Sequence, residues 1–274
     1  MEKQIFCLIK ACEQLDIKYD FIDKENNVVR VHLPSGLNYF ESNKTPFNTE
    51  VMFGLFKDKM HSYELLNSCV RMPKTISFLD FNVSEKYKKY LKNYSILSII
   101  DEAFTSFDLP FIIKSNKGSF GINVYLCETN ENVYTALTKI FDKNSKDYDY
   151  IALVQEFIAT KEEYRLVCAF GEPLLVYRRG NAKRFNARYW ENNEKAQMID
   201  DRKIVDELFD FVRPVFDKIK IGFVGFDIIR REDDELFLIE LNSPRFDNLL
   251  NNNGHESVVN LYVRALELFM KKQA

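Results

Sequence analysis

Apolar residues recur at helical spacing near the start of the chain. Ile5, Leu8, Ile9, Cys12 and Leu15 share one face over residues 5–15. Runs of β-formers then predict strands at 19–22, 28–33 and 37–40. Their turns fall at Glu25-Asn26-Asn27 and Pro34-Ser35-Gly36. A helix is expected over 58–69, stopping before Met72-Pro73. A second helical pattern covers 85–107, with a late stripe of Ile96, Ile99, Ile100, Ala103, Phe104 and Phe107. Strands follow at 109–114 and 122–127 around a turn of small residues. An amphipathic helix at 131–143 carries Val133, Leu137, Ile140 and Phe141, and a strand is expected at 151–158. Segments 164–170 and 173–178 form a hairpin at Gly171-Glu172, followed by a basic, polar stretch over 178–195. A helix over 202–219 holds Pro214, where a kink is expected. Segments 222–230 and 235–242 make a second hairpin around Glu232-Asp233-Asp234, and a helix over 256–271 ends in Lys271-Lys272, which suits its dipole. Strands and helices mix without strict β-α-β alternation, so the pattern predicts an α+β fold with largely antiparallel sheets.

Composition narrows the function classes. With 274 residues, 46% of them hydrophobic and 29% charged, the chain holds one large or two modest globular domains. A net charge of −3 gives no electrostatic case for nucleic acid as a partner. No run approaches the ~20 apolar residues of a membrane span, and the apolar run Ile5–Ile9 is too short for a signal-peptide core. A cytoplasmic protein without a membrane partner is therefore expected, and a homo-oligomer is compatible with the chain. The five cysteines are scattered and form no C-x-x-C pair, and the three histidines lack metal-ligand spacing. A disulfide framework or a zinc site is not expected.

Four features carry candidate chemistry. In the last hairpin Glu240 and Asn242 are two apart and face one side of a strand. Asp227 sits in an apolar run, where a carboxylate is costly unless paired or bound to metal. Two carboxylates and an amide oxygen suit a hard cation such as Mg²⁺, or they are polar residues on the open face of a sheet. Second, Lys114 ends an apolar strand and leads into a turn with Lys117, Gly118, Ser119 and Gly121. Such a loop can cradle phosphates, or it is an ordinary hairpin tip. Third, Gln155-Glu156-Phe157-Ile158 followed by Glu163 could hold a purine and its ribose, or be ordinary surface. Fourth, Arg165, Arg178, Arg179, Arg184, Arg188 and Arg245 suit carboxylates and phosphates, or form a solvated basic face.

The order of these features resembles the ATP-grasp superfamily of carboxylate–amine ligases. The likeness is to the ATP-grasp portion of cyanophycin synthetases, bifunctional glutathione synthetases and ribosomal-protein glutamate ligases. It covers roughly residues 5–270 and is strongest over 222–246. It implies two α+β subdomains gripping ATP: a small one at 74–155 with the glycine-rich loop, and a large one at 156–274 with the magnesium site. A short N-terminal α/β domain at 1–73 would precede them. ATP and Mg²⁺ are the implied cofactors. Lys59 and Lys114 would be the two ATP lysines, with Lys117 and Ser119 beside the phosphates. Glu156, Phe157 and Ile158 would line adenine, Glu163 would hold ribose and Leu238 would cap the purine. Asp227, Glu240 and Asn242 would be the metal ligands. Arg178 and Arg245, with Lys114, would serve catalysis, and Arg165, Arg178, Arg184, Asn186 and Arg188 the substrate. Ser115 and Asn123 stand where proline and glycine are usual in the family. The implied activity joins an amino acid or peptide carboxylate to an amine through an acyl phosphate. The alternatives are a nucleotide-binding module without catalysis of its own, or a small-molecule kinase of the same fold.

Overall fold

A computed structural model describes residues 1–179, 185 and 196–273. The expected Arg184, Asn186 and Arg188 lie outside the described residues.

Helix α1 (Lys3–Gln14) buries Ile5, Leu8, Ala11 and Cys12, as its spacing dictates. Strands β1 (Tyr19–Phe21), β2 (Val28–Leu33) and β3 (Gly36–Glu41) form an antiparallel meander. Helices α2 (Glu50–Lys57) and α3 (Lys59–Leu66) come next. Asp58 separates them in extended conformation, and its carboxylate accepts from the His61 N–H. The helix expected from 58 to 69 is thus α3, shorter, and α2 is an additional element.

Strand β4 (Thr75–Leu79), not expected from sequence, precedes a 3₁₀ turn (Glu85–Tyr90) and α4 (Ile96–Ser106). The continuous helix expected over 85–107 does not form. Glu85–Tyr90 buries no residue, so nothing anchors it as an α-helix. Ser95 and Ser98 then make a reciprocal capping box that starts α4 afresh. Strands β5 (Phe111–Ser115) and β6 (Val124–Cys127), helix α5 (Asn130–Ile140) and strand β7 (Ile151–Glu156) complete this part. Its sheet runs β4-β7-β5-β6, and one face packs on α4 and α5 through Phe111, Ile113, Ala152 and Val154.

The larger sheet runs β10-β9-β8-β11-β12. It comprises β8 (Thr160–Ala169), β9 (Glu172–Arg178), β10 (Gln197–Met198), β11 (Phe223–Arg231) and β12 (Leu236–Asn242). Helix α6 (Arg202–Lys218) runs through Pro214. Helices α7 (Asp247–Asn252), which the pattern did not show, and α8 (Glu256–Gln273) close the chain. Every ladder among the described strands is antiparallel.

Period two divides the larger sheet. Leu166, Cys168, Val224 and Phe226 pack on α6. Val167, Ala169 and Phe223 face the other way, into a core shared with α1, the first meander and α8. The N-terminal piece therefore has no core of its own. Its loop is fixed to the start of β11, where Gly222 lies under the Phe47 backbone. A Cβ on Gly222 would fall 1.7 Å from the Phe47 carbonyl oxygen. Gly222→Ala is expected to cost about 2 kcal/mol or more. Gly54→Ala, inside α2 with nothing within 4 Å, is expected to gain about 0.5–1 kcal/mol. Urea midpoints should move in opposite directions; a wild-type midpoint for Gly222→Ala would mean that the Phe47 loop is not fixed.

Candidate active site

The outward face of the larger sheet carries charge where it leaves that core. Arg165 on β8, Asp227 on β11 and Glu240 on β12 form one row across three strands. Asn242 lies opposite Gly225 in the adjacent row. Asp227 is buried and pinned by two guanidinium groups. Arg165 grips it in two-pronged fashion through Nε and Nη2, the latter at 2.9 Å from Oδ2. Arg179 Nη1 reaches Oδ2 at 2.7 Å and Glu163 Oε1 at 3.0 Å. Asn242 Nδ2 donates to the same Oδ2 at 3.3 Å, while its Oδ1 accepts from Arg165 Nη1 at 2.8 Å. Burial pushes the Asp227 carboxyl up, but Arg165 and Arg179 outweigh it and hold it below the usual range. Gly225 leaves room for this packing: a Cβ there would lie 3.0 Å from Asn242 Oδ1 and 3.1 Å from Arg165 Cδ.

The smaller sheet presents the opposite charge. Lys114 is only 4% exposed. Its Nζ donates to Gln155 Oε1 at 2.9 Å, Gln155 Nε2 to Thr75 Oγ1 at 2.9 Å, and that hydroxyl to the Pro73 carbonyl at 2.9 Å. Burial lowers the Lys114 ammonium to about 8, with Glu240 and Asp227 opposing the shift and Lys59 adding to it. Lys59 opens α3. Its Nζ donates to the Gly118 carbonyl at 2.5 Å and lies 3.6 Å from Glu240 Oε2. One ammonium thus spans from the glycine-rich loop to the larger sheet. Asn116 fixes that position: its Oδ1 accepts from the Met60 N–H at 2.9 Å and its carbonyl from the Lys59 N–H at 3.3 Å.

In the loop, Gly118 packs closely on Ser115: a Cβ there would meet Ser115 Oγ at 2.1 Å and the Ile122 carbonyl oxygen at 3.1 Å. Phe120, Gly121 and Asn123 take left-handed φ values of 55°, 62° and 54°. Asn123 is tolerated there because asparagine visits this region more readily than most residues. Lys117 donates to the Tyr150 hydroxyl at 3.2 Å, which raises its pKa, and Ser119 is exposed. Arg245 is exposed, 5.6 Å from the centre of the Phe120 ring at the loop tip. Beyond β7, Glu156 Oε2 accepts from the Lys74 N–H at 3.1 Å, Phe157 is half-buried and Ile158 is buried. Burial raises the Glu163 pKa, against the opposing pull of Arg179.

Two expected residues fall elsewhere. Arg178 pairs with Tyr164, so it projects from the α6 side of the sheet, where it meets Glu162 and the Tyr164 ring. Its neighbour Arg179 is on the charged face instead, because consecutive strand residues point opposite ways. Leu238 is fully buried beside Ile228 in the α6 core. A bulge makes Ile239 the extra residue between the pairs Asp227–Glu240 and Ile228–Leu238, which reverses the face of Leu238. Ile239 itself is half-buried. Gln155, Thr75 and Asn116 belong to the site as positioning groups and carry no motif of their own.

The chemistry of the donor set fits a magnesium-bound triphosphate. Asp227 and Glu240 stand opposite each other on neighbouring strands, an arrangement that a shared cation can satisfy. Two ammonium groups face them across one cleft. Among the described residues no cluster of three His, Cys, Asp or Glu side chains gathers as a metal site.

Comparison with known proteins agrees with this geometry. Residues 57–257, more than half the chain, match the model of the RimK-like ATP-grasp domain. The structure is similar to D-alanine–D-alanine ligase from Bacillus anthracis complexed with ATP, with TM-score 0.54 and 15% identity, over 81% of this chain and 69% of that one. It is also similar to a bifunctional glutathione synthetase from Pasteurella multocida, with TM-score 0.54 and 13% identity, over 96% of this chain and 43% of that one. A RimK domain ATP-grasp protein from Sphaerobacter thermophilus gives TM-score 0.50 and 16% identity, over 78% of this chain and 67% of that one. A search of curated proteins gives no match. The fold is ATP-grasp, and the chain belongs to the RimK-like ATP-grasp family.

Proposed function

We propose that the chain is an ADP-forming ligase that joins an amino acid or peptide carboxylate to an amine. ATP-grasp ligases use ATP and Mg²⁺, and the expected nucleotide, metal and substrate positions, Leu238 and Arg178 excepted, are taken here as this chain's own. Residues 74–155 act as the small jaw, 156–274 as the large jaw and 1–73 as the piece that supports them. The observation that carries this reading is the Lys59–Glu240 approach of 3.6 Å, which brings the two lysines and the acidic row to one cleft.

The residues divide the work. Lys59 and Lys114 hold the β- and γ-phosphates as point charges, with loop N–H groups beside them. Asp227, Glu240 and Asn242 would hold Mg²⁺, which supplies divalent charge against the phosphates. A carboxylate oxygen of the substrate attacks the γ-phosphorus and ADP leaves. The amine nitrogen then attacks the acyl carbon, phosphate leaves and the nitrogen gives up a proton. Arg165 and Arg179, placed on the acidic row, can meet the oxyanion of the tetrahedral intermediate; loss of such a donor typically costs ~10²–10³ in turnover. Arg178 has no part in that step, given the face it occupies.

The test is product analysis. MgATP with pools of amino acids and dipeptides should yield ADP and phosphate only when an amine is present. Glu240→Gln should keep the fold and lose this release. AMP as product, or full activity in Glu240→Gln, would overturn the reading. A phosphorylated product formed without an amine would mark a small-molecule kinase instead.

A further inference from the structure

Rows along the charged face follow one another at two-residue steps of roughly 6.5 Å. Glu163 stands opposite Ile229, Arg165 opposite Asp227, Val167 opposite Gly225 and Ala169 opposite Phe223. On the proposed function, on which this inference rests, ribose lies at the Glu163 end and the phosphates at the Arg165 row. Beyond the Arg165 row the face passes under the N-terminal core at Val167, Ala169 and Phe223, so room for substrates is sought at the edge of that cover.

A cavity of about 170 Å³ opens there. Phe223 and Ser243, the residue after Asn242, line one side. Thr45 and Asn43 of the preceding loop, with Glu50 and Phe53 of α2, line the other. The wall is firmly built. Asn48 Oδ1 accepts from the N–H groups of Gly222 at 2.9 Å and Phe223 at 3.1 Å, and its Nδ2 donates to the Phe223 carbonyl at 2.6 Å. This side chain occupies bonds that β12 leaves open where it ends at Asn242.

The lining charges select a ligand. Lys44, also at the cavity, is paired with Glu41 at 2.8 Å. Glu50 is exposed, and among the described residues no salt bridge engages it. No guanidinium lines the cavity. What remains is one exposed carboxylate in the first turn of α2, without a salt bridge among the described residues, with hydroxyl and amide oxygens and the Phe53 ring; the Phe223 ring itself turns into the core. We propose that this cavity is the binding site of the amine substrate, taken as a small amino acid or the amino end of a peptide, with its ammonium paired to Glu50, which accepts the proton that must leave before the neutral nitrogen attacks. Ser243 follows Asn242 in the chain, which ties the cavity wall to the end of the acidic strand.

The test separates this proposal from the ligase reading. The wild type is first shown to release ADP with MgATP and pools of the twenty amino acids and of dipeptides. Glu50→Gln and Glu50→Lys, surface changes away from the nucleotide, are then measured with the active amine. We expect the amine KM to rise about tenfold or more, Glu50→Lys exceeding Glu50→Gln. The ATP KM and the melting shift given by MgATP should stay as in the wild type. Ser243→Tyr, which fills the cavity, should raise the amine KM without Glu50 being changed. Unchanged amine KM in all three variants of an active enzyme would overturn the cavity assignment and leave the ligase reading intact. No ADP release by the wild type with any pool would overturn the ligase reading and this proposal with it.

Discussion

Lys114→Met should produce a protein that melts higher than the wild type and no longer works. Lys114 holds an ammonium in a nearly closed site, with Gln155 Oε1 as its one hydrogen-bond partner among the described residues. Burial is the main force lowering its pKa from 10.5 to about 8. Each pKa unit corresponds to about 1.4 kcal/mol, so the charged form costs the fold up to ~3 kcal/mol. Methionine fills similar space without that cost, although Gln155 Oε1 then loses its donor. A net gain of about 1–2 kcal/mol is expected at pH 7. The pH dependence has a definite sign. Between pH 8 and 10.5 the unfolded lysine binds more protons than the folded one, so wild-type stability rises with pH relative to Lys114→Met. The gap between the two proteins is widest below pH 8 and closes toward pH 10.5. Urea unfolding at pH 7 and pH 9.5 measures it; parallel pH profiles would show that Lys114 is not buried as a cation. MgATP should raise the melting temperature of the wild type and not of the variant. Turnover should fall at least ~10²-fold.

This burial explains why the lysine was visible in the sequence. A lysine ending Phe111-Ile112-Ile113 has no solvent-side reason to be there, just as Asp227 has none between Phe226 and Ile228. Glu240 and Asn242 were visible as a pair because strands alternate. Leu238 was expected only through the family resemblance, and the bulge at Ile239 turns it to the other face. Bulges leave no mark in a run such as Leu236-Phe237-Leu238-Ile239, where every residue is apolar. Arg178 and Arg179 could not be told apart for a related reason. Their faces depend on the β8–β9 register, which itself slips between Val167 and Cys168. Helix α2 was hidden because it buries only Phe56 and carries Gly54 in its middle. Gln155 and Asn116 act through partners distant in sequence, Thr75 and Met60, so no local pattern marks them. The antiparallel α+β frame was legible because turn residues bounded most of its strands. The sharing of one core between α1 and α8 was not, since amphipathic faces do not name their partners.

Arg165→Leu tests the other side of the cleft. A carboxylate offers about four acceptor directions. Asp227 fills them with Arg165 Nε and Nη2, Arg179 Nη1 and Asn242 Nδ2. With the nucleotide absent, arginine therefore stands where a cation would act, and a metal ion can reach Asp227 only by displacing a guanidinium. Removing Arg165 leaves a buried carboxylate with Arg179 as its remaining cation. A loss of about 3 kcal/mol in urea unfolding is expected, because one partner of a buried pair has gone. Arg165→Leu with Asp227→Leu replaces both charges by apolar groups and should recover most of that loss. The same logic gives a signature that packing alone would not. Millimolar MgCl₂ without nucleotide should leave the wild-type melting temperature unchanged, since arginine already neutralises Asp227. In Arg165→Leu the ion should stabilise the fold, and in the double variant it should again do nothing. Equal magnesium responses in all three proteins would mean that Arg165 and the metal do not compete for one carboxylate. Asp227 would then be a structural anchor for two arginines, and Glu240 with Asn242 would carry the ion.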